Sequence, residues 1–157
     1  MQVREMVISE IEAVIDLHLE GLKEEIDLLS TIFPGRSIDY SGRSQLNKLL
    51  TQVLQVGEGR IFVAVDGNRH AGYCLVTKKV YPVENPKFCG CINGIYVRDP
   101  YKRRGLGSQL FEASLLWLKS EGVTYLELYH MINDERATAF WKKMGFMQIQ
   151  LNCARRI

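Results

Sequence analysis

The chain has 157 residues, of which 46% are hydrophobic and 24% are charged, and its formal net charge is +2. This length and composition are typical of a single globular domain over residues 1–157. So small a net charge argues against nucleic acid as the main partner, and no apolar run approaches the ~20 residues that a membrane span needs. Charges in the first ten residues are unlike a signal peptide, so we expect a cytoplasmic protein with neither a nucleic-acid nor a membrane partner.

The four cysteines do not have the spacing of a metal site. Cys89 and Cys91 are too close together to be the usual pair of zinc thiolates, and Cys74 and Cys153 stand alone. We therefore expect reduced thiols and no metal.

Hydrophobic periodicity and turn residues predict an alternation of strands and helices along the whole chain. In chain order the predicted elements are a strand over 2–7, a helix after a Ser9/Glu12 capping box, a helix over 44–56, a hairpin of strands 61–65 and 71–79, a strand over 88–97, a helix over 107–120, a strand over 124–129, a helix capped by Asn133, and a last strand over 146–151. This order predicts an α/β or α+β fold with one sheet and helices on both of its faces.

The segment between the fourth predicted strand and the following helix carries the strongest chemical signal. Three cations, Lys102, Arg103 and Arg104, precede Gly105-Leu106-Gly107 and an amphipathic helix. Glycine allows close approach of the backbone, and the first N–H groups of a helix have no internal acceptor. Together with the helix dipole and the cations, they predict a site for a phosphate or a pyrophosphate.

Two familiar phosphate-binding loops do not match this segment. A nucleotide P-loop needs the string G-x-x-x-x-G-K-[ST], which is absent. A dinucleotide-binding loop needs a third glycine where Leu110 stands, and antiparallel hairpin strands precede the loop here.

The loop instead resembles the acetyl-CoA loop of the GCN5-related N-acetyltransferases (GNAT), with Lys102 in place of the usual Arg or Gln. A second block, Asn133-x-x-x-Ala137-x-x-Phe140-Trp141-x-x-x-Gly145-Phe146, resembles the next motif of the same family. The resemblance covers about residues 92–146. It implies a mixed, largely antiparallel central sheet with one splayed strand pair.

In this family acetyl-CoA is the co-substrate and no metal is used. The resemblance implies that strand backbone pairs with the pantetheine arm and that the loop N–H groups hold the pyrophosphate. The residues so assigned to acetyl-CoA are Ile95, Tyr96, Val97, Lys102, Arg103, Arg104, Gly105, Leu106, Gly107, Ser108, Asn133, Phe140 and Trp141.

Two positions depart from the family pattern and leave the proton-transfer groups open. Trp141 stands where many relatives have a tyrosine that protonates the departing thiolate, and it also lies on the apolar stripe of its helix. Asn93 stands where some relatives have a glutamate base. Glu127, Tyr129 and His130 are the replacement candidates for catalysis, although ordinary structural roles explain each of them equally well.

The resemblance implies an enzyme, an acetyl-CoA-dependent N-acetyltransferase acting on a primary amine of a small molecule. An acidic group at Glu24, Glu25 and Asp27 is compatible with a cationic amine, or with a solvated helix face. Protein N-terminal or lysine acetylation is an alternative, as are a non-catalytic acyl-CoA-binding module and DNA binding through the basic residues. Many relatives are homodimers, so a second copy is a possible partner.

Overall fold

The computed structural model describes residues 1–30, 34–81, 88–131 and 133–150. Five strands form one sheet in the order β1-β2-β3-β4-β5. Their bounds are Gln2–Glu5 (β1), Gly59–Asp66 (β2), Arg69–Val80 (β3), Phe88–Val97 (β4) and Leu126–Leu128 (β5). Neighbouring strands are antiparallel except β4 and β5, which are parallel. The sheet is thus mixed and largely antiparallel, as expected.

The hairpin between β2 and β3 turns at Gly67 and Asn68. Gly67 has φ of +58°, which a residue without Cβ adopts at little steric expense. Asp66 and Arg69 are the last residue pair of the ladder. The predicted turn is confirmed, and it sets the register of β3 on β2 at this end of the ladder.

β4 and β5 pair over three residues only and then separate. Gly90 to Ile92 are matched with Leu126 to Leu128, and the described residues pair no further. The predicted splayed strand pair is therefore confirmed.

Within the described residues, four α-helices cover the two faces of the sheet. Their bounds are Ile11–Leu29 (α1), Arg43–Gln55 (α2), Leu106–Ser120 (α3) and Glu135–Lys143 (α4). One hydrophobic cluster joins α1 and α2 to Ile61, Val63 and Tyr73 of the sheet. The other joins α3 and α4 to Cys74 and Ile92 on the opposite face. Each helix buries its apolar stripe against side chains that alternate along the strands.

Three local expectations are wrong. A 3-10 turn over Ile8–Glu10 precedes α1. The carboxylate that caps this helix start is that of Glu10 rather than Glu12, and it accepts from the Val7 N–H. The side chain of Asp134, not Asn133, caps α4 by accepting from the N–H groups of Arg136 and Ala137. Residues 146–150 form no strand, and residue 151 lies outside the described residues.

Cys74, Cys89 and Cys91 are buried free thiols, while Cys153 lies outside the described residues. Burial raises the pKa of Cys74 to about 12. In the described ranges no group of three or more His, Cys, Asp or Glu side chains is arranged to hold a metal ion. Nor do those ranges contain a helix with the length and apolar character that crossing a bilayer demands.

Candidate functional site

The basic loop between β4 and α3 has an unusual backbone. A 3-10 turn over Asp99–Tyr101 ends β4, and Gly105 is the N-cap of α3 with φ of +80°. Arg103 is the one described non-glycine residue with a positive φ, at +64°. Left-handed residues such as these turn successive N–H groups toward a common point, an arrangement that binds anions.

The basic loop and the first turn of α3 leave several backbone N–H groups without an acceptor among the described residues. The first hydrogen bond of the helix runs from the N–H of Gln109 to the carbonyl of Gly105, at 3.0 Å. Among the residues that the structure describes, the N–H groups of residues 103–108 have no hydrogen-bond acceptor. They are available to a ligand together with the positive end of the α3 dipole.

The three cations of the loop differ in their surroundings. Lys102 Nζ lies 2.9 Å from Glu24 Oε1 and 2.7 Å from Asp99 Oδ1, and it also lies over the Tyr96 ring. Desolvation alone lowers the pKa of Lys102, but the two carboxylates outweigh it and raise this pKa overall. Arg103 and Arg104 are exposed and form no ion pair within the described ranges. The charge available to a ligand is therefore that of the two arginines.

The block on α4 is divided between the loop and the core. Phe140 lies beside Gly107, whose missing Cβ would come within 3.4 Å of the Phe140 ring. Trp141 is 5% exposed and packs edge-on against Phe111 and its neighbours in the core. Asn133 is exposed, and its Nδ2 donates to the Leu28 carbonyl at 3.1 Å. These contacts favour the packing interpretation of Trp141, since no face of that ring is open to a ligand.

A cavity of about 400 Å³ opens beside the point where β4 and β5 separate. Its walls are formed by Thr77, Lys78, Lys79, Cys91, Ile92, Asn93 and Tyr129. Asn93 is the extra residue of a β-bulge, because Leu75 pairs with Gly94 and Val76 pairs with Ile92. A bulge bends a strand and redirects its side chains. The Thr77 hydroxyl donates to the side-chain amide oxygen Oδ1 of Asn93 at 2.7 Å.

The three catalytic candidates from the sequence differ in availability. Glu127 accepts hydrogen bonds from Lys79 Nζ at 2.8 Å and from the Tyr81 hydroxyl at 2.9 Å, which commits both of its oxygens. His130 Nδ1 is 3.0 Å from the Met131 carbonyl. Tyr129 is 70% exposed and lines the cavity. Of the three, only Tyr129 has its functional group at the cavity.

A polar pair on the α1 face of the sheet carried no sequence signal. His18 of α1 and Tyr73 of β3 are 55 residues apart, and His18 Nδ1 lies 2.8 Å from the Tyr73 hydroxyl. Burial raises the pKa of Tyr73 and lowers that of His18. Each residue occupies a position of helical or strand periodicity, so only the tertiary structure brings the two together.

A short β4–β5 pairing followed by a helix start whose N–H groups have no acceptor among the described residues is the arrangement expected of a CoA-dependent acyltransferase class. The sequence profile of the Acetyltransferase (GNAT) family matches residues 24–146. The chain belongs to this family.

Individual relatives are distant. The chain is 27% identical over 85 residues to N-alpha-acetyltransferase 30 of Schizosaccharomyces pombe, a match that covers 54% of this chain and 55% of that protein. The chain therefore spans about half the length of that curated relative.

Solved structures of similar fold cover nearly the whole chain. A mutant of the BH1408 protein from Bacillus halodurans has a TM-score of 0.81 at 20% identity, over 100% of this chain and 99% of that one. A predicted acetyltransferase with acetyl-CoA from Clostridium acetobutylicum has a TM-score of 0.80 at 14% identity, over 96% and 95%. An aminoglycoside 6'-N-acetyltransferase from Acinetobacter haemolyticus has 0.73 at 14%, over 100% and 99%. At identities this low, the structural similarity establishes a common fold and nothing more.

Proposed function

We propose that this protein transfers the acetyl group of acetyl-CoA directly to a primary amine of a small molecule. The observation that carries the proposal is the continuity between two features. The gap between β4 and β5 leads straight into the loop whose N–H groups, at residues 103–108, have no acceptor among the described residues. A ligand with an extended arm and a pyrophosphate matches both features.

The binding roles follow from this arrangement. The N–H groups of residues 103–108 would hold the pyrophosphate, with Arg103 and Arg104 adding charge. The backbone of Ile95, Tyr96 and Val97 would pair with the pantetheine arm where β5 no longer pairs with β4. Phe140 would support the loop through its contact with Gly107.

The reaction needs no covalent enzyme intermediate. The amine nitrogen attacks the thioester carbon, the new C–N bond forms, and the C–S bond breaks to release CoA. Negative charge that develops on the carbonyl oxygen would be stabilised by a β4 N–H close to Tyr96. A thiol with a pKa of ~8.5 leaves readily near neutral pH, so the absence of tyrosine at position 141 is tolerable.

A small acceptor is supported by the size of the cavity. Its volume of about 400 Å³ lies within the range of small-molecule sites. Of the acidic residues on α1, Glu24 is already paired with Lys102, which leaves Glu25 and Asp27 to attract a cationic amine. Partial burial, followed by the nearby Asp134 carboxylate, raises the pKa of Glu25.

Protein N-terminal acetylation is the second candidate. It is favoured by the relative N-alpha-acetyltransferase 30, which matches 54% of this chain. The acceptor would then be the α-amine of a peptide, and the cavity would hold its first residue.

The test is CoA release from acetyl-CoA across a panel of amines, with the acetylated product identified by mass spectrometry. The panel contains putrescine, kanamycin, leucinamide and a short peptide with a free N-terminus. Fastest turnover of one of the first three supports the small-molecule function, whereas turnover of the peptide alone supports the second candidate. Tight acetyl-CoA binding with no turnover of any amine contradicts both and indicates a non-catalytic acyl-CoA-binding module.

A further inference from the structure

The His18–Tyr73 pair joins α1 to β3, and its tyrosine is almost completely buried. Tyr73 is 3% exposed, while His18 is half-buried. Their rings meet edge-on with centroids 6.1 Å apart, and the 2.8 Å contact joins the hydroxyl to Nδ1. A buried phenol needs a hydrogen-bond partner, and an imidazole in this position can also accept the phenol proton.

The Tyr73 hydroxyl lies against β4 immediately after the bulge. A Cβ on Gly94 would be 2.6 Å from the Tyr73 oxygen, so this hydroxyl occupies the space above Gly94 that a side chain would fill. Asn93, which lines the cavity, is the adjacent residue. Tyr73 and Thr77 are four residues apart in β3, so their side chains lie on the same face of the sheet. The pair and the cavity therefore share the face that α1 covers.

The proposed reaction requires a proton acceptor at this place. An alkyl amine with a pKa of ~10.4 is mostly protonated at neutral pH, and the ammonium form has no lone pair. After the neutral amine attacks, its nitrogen carries a surplus proton that must be removed. Glu127 is bonded to both Lys79 and Tyr81. Tyr129 also lines the cavity, but it is 70% exposed. His18 and Tyr73 are the described proton-transfer groups that are hydrogen-bonded to each other beside the bulge.

We propose that Tyr73 is a catalytic residue that takes the proton of the acceptor amine and that His18 is the positioning residue that receives the proton from Tyr73. This inference rests on the proposed function. The N–H bond of the amine breaks as an O–H bond forms on Tyr73. The original O–H bond of Tyr73 breaks as Nδ1 of His18 is protonated, and Nε2 then loses its proton to water.

The protonation states suit this relay. Burial holds the pKa of His18 below its ordinary value, so the imidazole is neutral at pH 7 and its Nδ1 can accept. The titratable groups packed around the pair are Glu25 of α1, the Cys74 thiol of β3 and the Tyr96 phenol of β4. From α2, the apolar side chains of Leu46, Leu50 and Leu54 pack in the same cluster.

The experiment compares Tyr73→Phe and His18→Asn with the wild-type full chain, using acetyl-CoA and the panel amine that the wild type acetylates fastest. Each variant is expected to lower kcat by roughly 10²-fold, and the double variant no further, because the two residues act as a unit. The KM for acetyl-CoA stays within about twofold, since neither residue is placed at the loop. The matched controls Tyr125→Phe and His70→Asn keep the wild-type kcat.

The pH profile separates proton transfer from a packing role. Wild-type kcat/KM is expected to fall as the pH drops below the pKa of His18, and His18→Asn is expected to lose this acidic limb. An NMR titration of the His18 imidazole, which needs no turnover, should give a pKa below ~6.5 that changes in Tyr73→Phe.

Three results would overturn the relay. The first is a wild-type kcat and pH profile in folded variants. The second is a parallel loss of kcat and of acetyl-CoA-induced thermal stabilisation, which indicates a structural role. The third is a His18 pKa at or above the ordinary value. Failure of the proposed function is distinct, because the wild type itself would then acetylate no amine.

Discussion

At the scale of single residues, the backbone of Arg103 is the local feature that most supports the proposed binding site. An arginine with φ of +64° carries strain of about 1–3 kcal/mol that packing elsewhere must offset. Such strain is most frequent at functional sites. Here it lies two residues before the N-cap Gly105, beside the N–H groups that the proposed function assigns to the pyrophosphate.

Gly105→Asp should weaken acetyl-CoA binding at least about tenfold, or 1.4 kcal/mol. The carboxylate would introduce negative charge beside the phosphate site at the start of α3. The matched control is Gly122→Asp, at the other end of the same helix, where φ is +75° and a Cβ meets nothing within 4 Å. Both variants should lose similar stability, but calorimetry should show weakened binding for Gly105→Asp only. Equal acetyl-CoA affinity in the two folded variants would contradict the loop assignment.

The loop cations should contribute unequally to acetyl-CoA affinity. Arg104→Gln removes an exposed charge that has no described ion pair, and it should weaken binding by about three- to tenfold and reduce its salt dependence. Lys102→Gln should have a smaller effect, because Glu24 and Asp99 already balance that charge. Calorimetric titrations at low and high salt measure both quantities. A larger loss for Lys102→Gln would show that Lys102 leaves Glu24 to bind the ligand.

At the scale of elements, the bulge at Asn93 and the three-residue pairing of β5 together shape the gap in the sheet. One extra residue bends β4 just beyond its last pair with β5. The bulge therefore lies where the strands separate, and it brings Asn93 to the cavity. Gly94 and Ile92 each remain on the face of the sheet that they would occupy in a strand without the bulge.

Deletion of Asn93 should straighten β4 without reversing its faces. Leu75 would still pair with Gly94 and Val76 with Ile92, so the apolar side chains keep their environments. We expect a folded protein whose acetyl-CoA affinity falls about tenfold or more, since β4 and β5 would pair further. Circular dichroism checks the fold and calorimetry the affinity. Retained affinity in a folded deletion variant would show that the bulge does not open the gap.

Glu10 joins three elements and should make stability depend on pH. Its carboxylate accepts from Arg4 of β1, from His70 of β3 and from the Val7 N–H. The Arg4 guanidinium outweighs partial burial, and with the other donors it lowers the pKa of Glu10 from 4.5 to about 2. A depressed pKa stabilises the fold above the unfolded value of 4.5, and this contribution is lost as the pH falls toward 2.

Glu10→Gln should therefore lower the free energy of unfolding at neutral pH by about 1–3 kcal/mol. The difference from wild type should shrink between about pH 5 and pH 2. Urea unfolding at several pH values measures it, with Glu112→Gln on the exposed side of α3 as the control. A difference that stays constant down to about pH 2 would contradict the ionic role of Glu10.

At the scale of the whole molecule, local sequence patterns predicted most of the elements. The strand over Phe88–Val97 and the helix ending at Ser120 are observed as expected, because glycine and proline mark their ends. Helix α4 was predicted, but its N-cap was assigned one residue too early. Asn133 and Asp134 are both good caps, and only the contact of Asn133 with Leu28 decides between them.

Features that depend on contacts between distant segments were not predicted. The bulge at Asn93 follows from the register of β4 on β3, and the His18–Tyr73 contact follows from how α1 crosses the sheet. Lys102 was grouped with the arginines by sequence, whereas its contact with Glu24 on α1 sets it apart. The resemblance predicts a donor-binding loop, whereas the proposed proton-transfer pair could be inferred only from the tertiary structure.

Binding of acetyl-CoA in the gap between β4 and β5 is the central prediction, and a crystal structure of the full chain grown with acetyl-CoA tests it most directly. We predict pyrophosphate oxygens within hydrogen-bond distance of the N–H groups of residues 103–108 and the pantetheine arm along Ile95 to Val97. The thioester carbonyl should lie beside β4 just beyond the bulge. Acetyl-CoA bound at any other place, with the loop N–H groups facing solvent, would contradict the account.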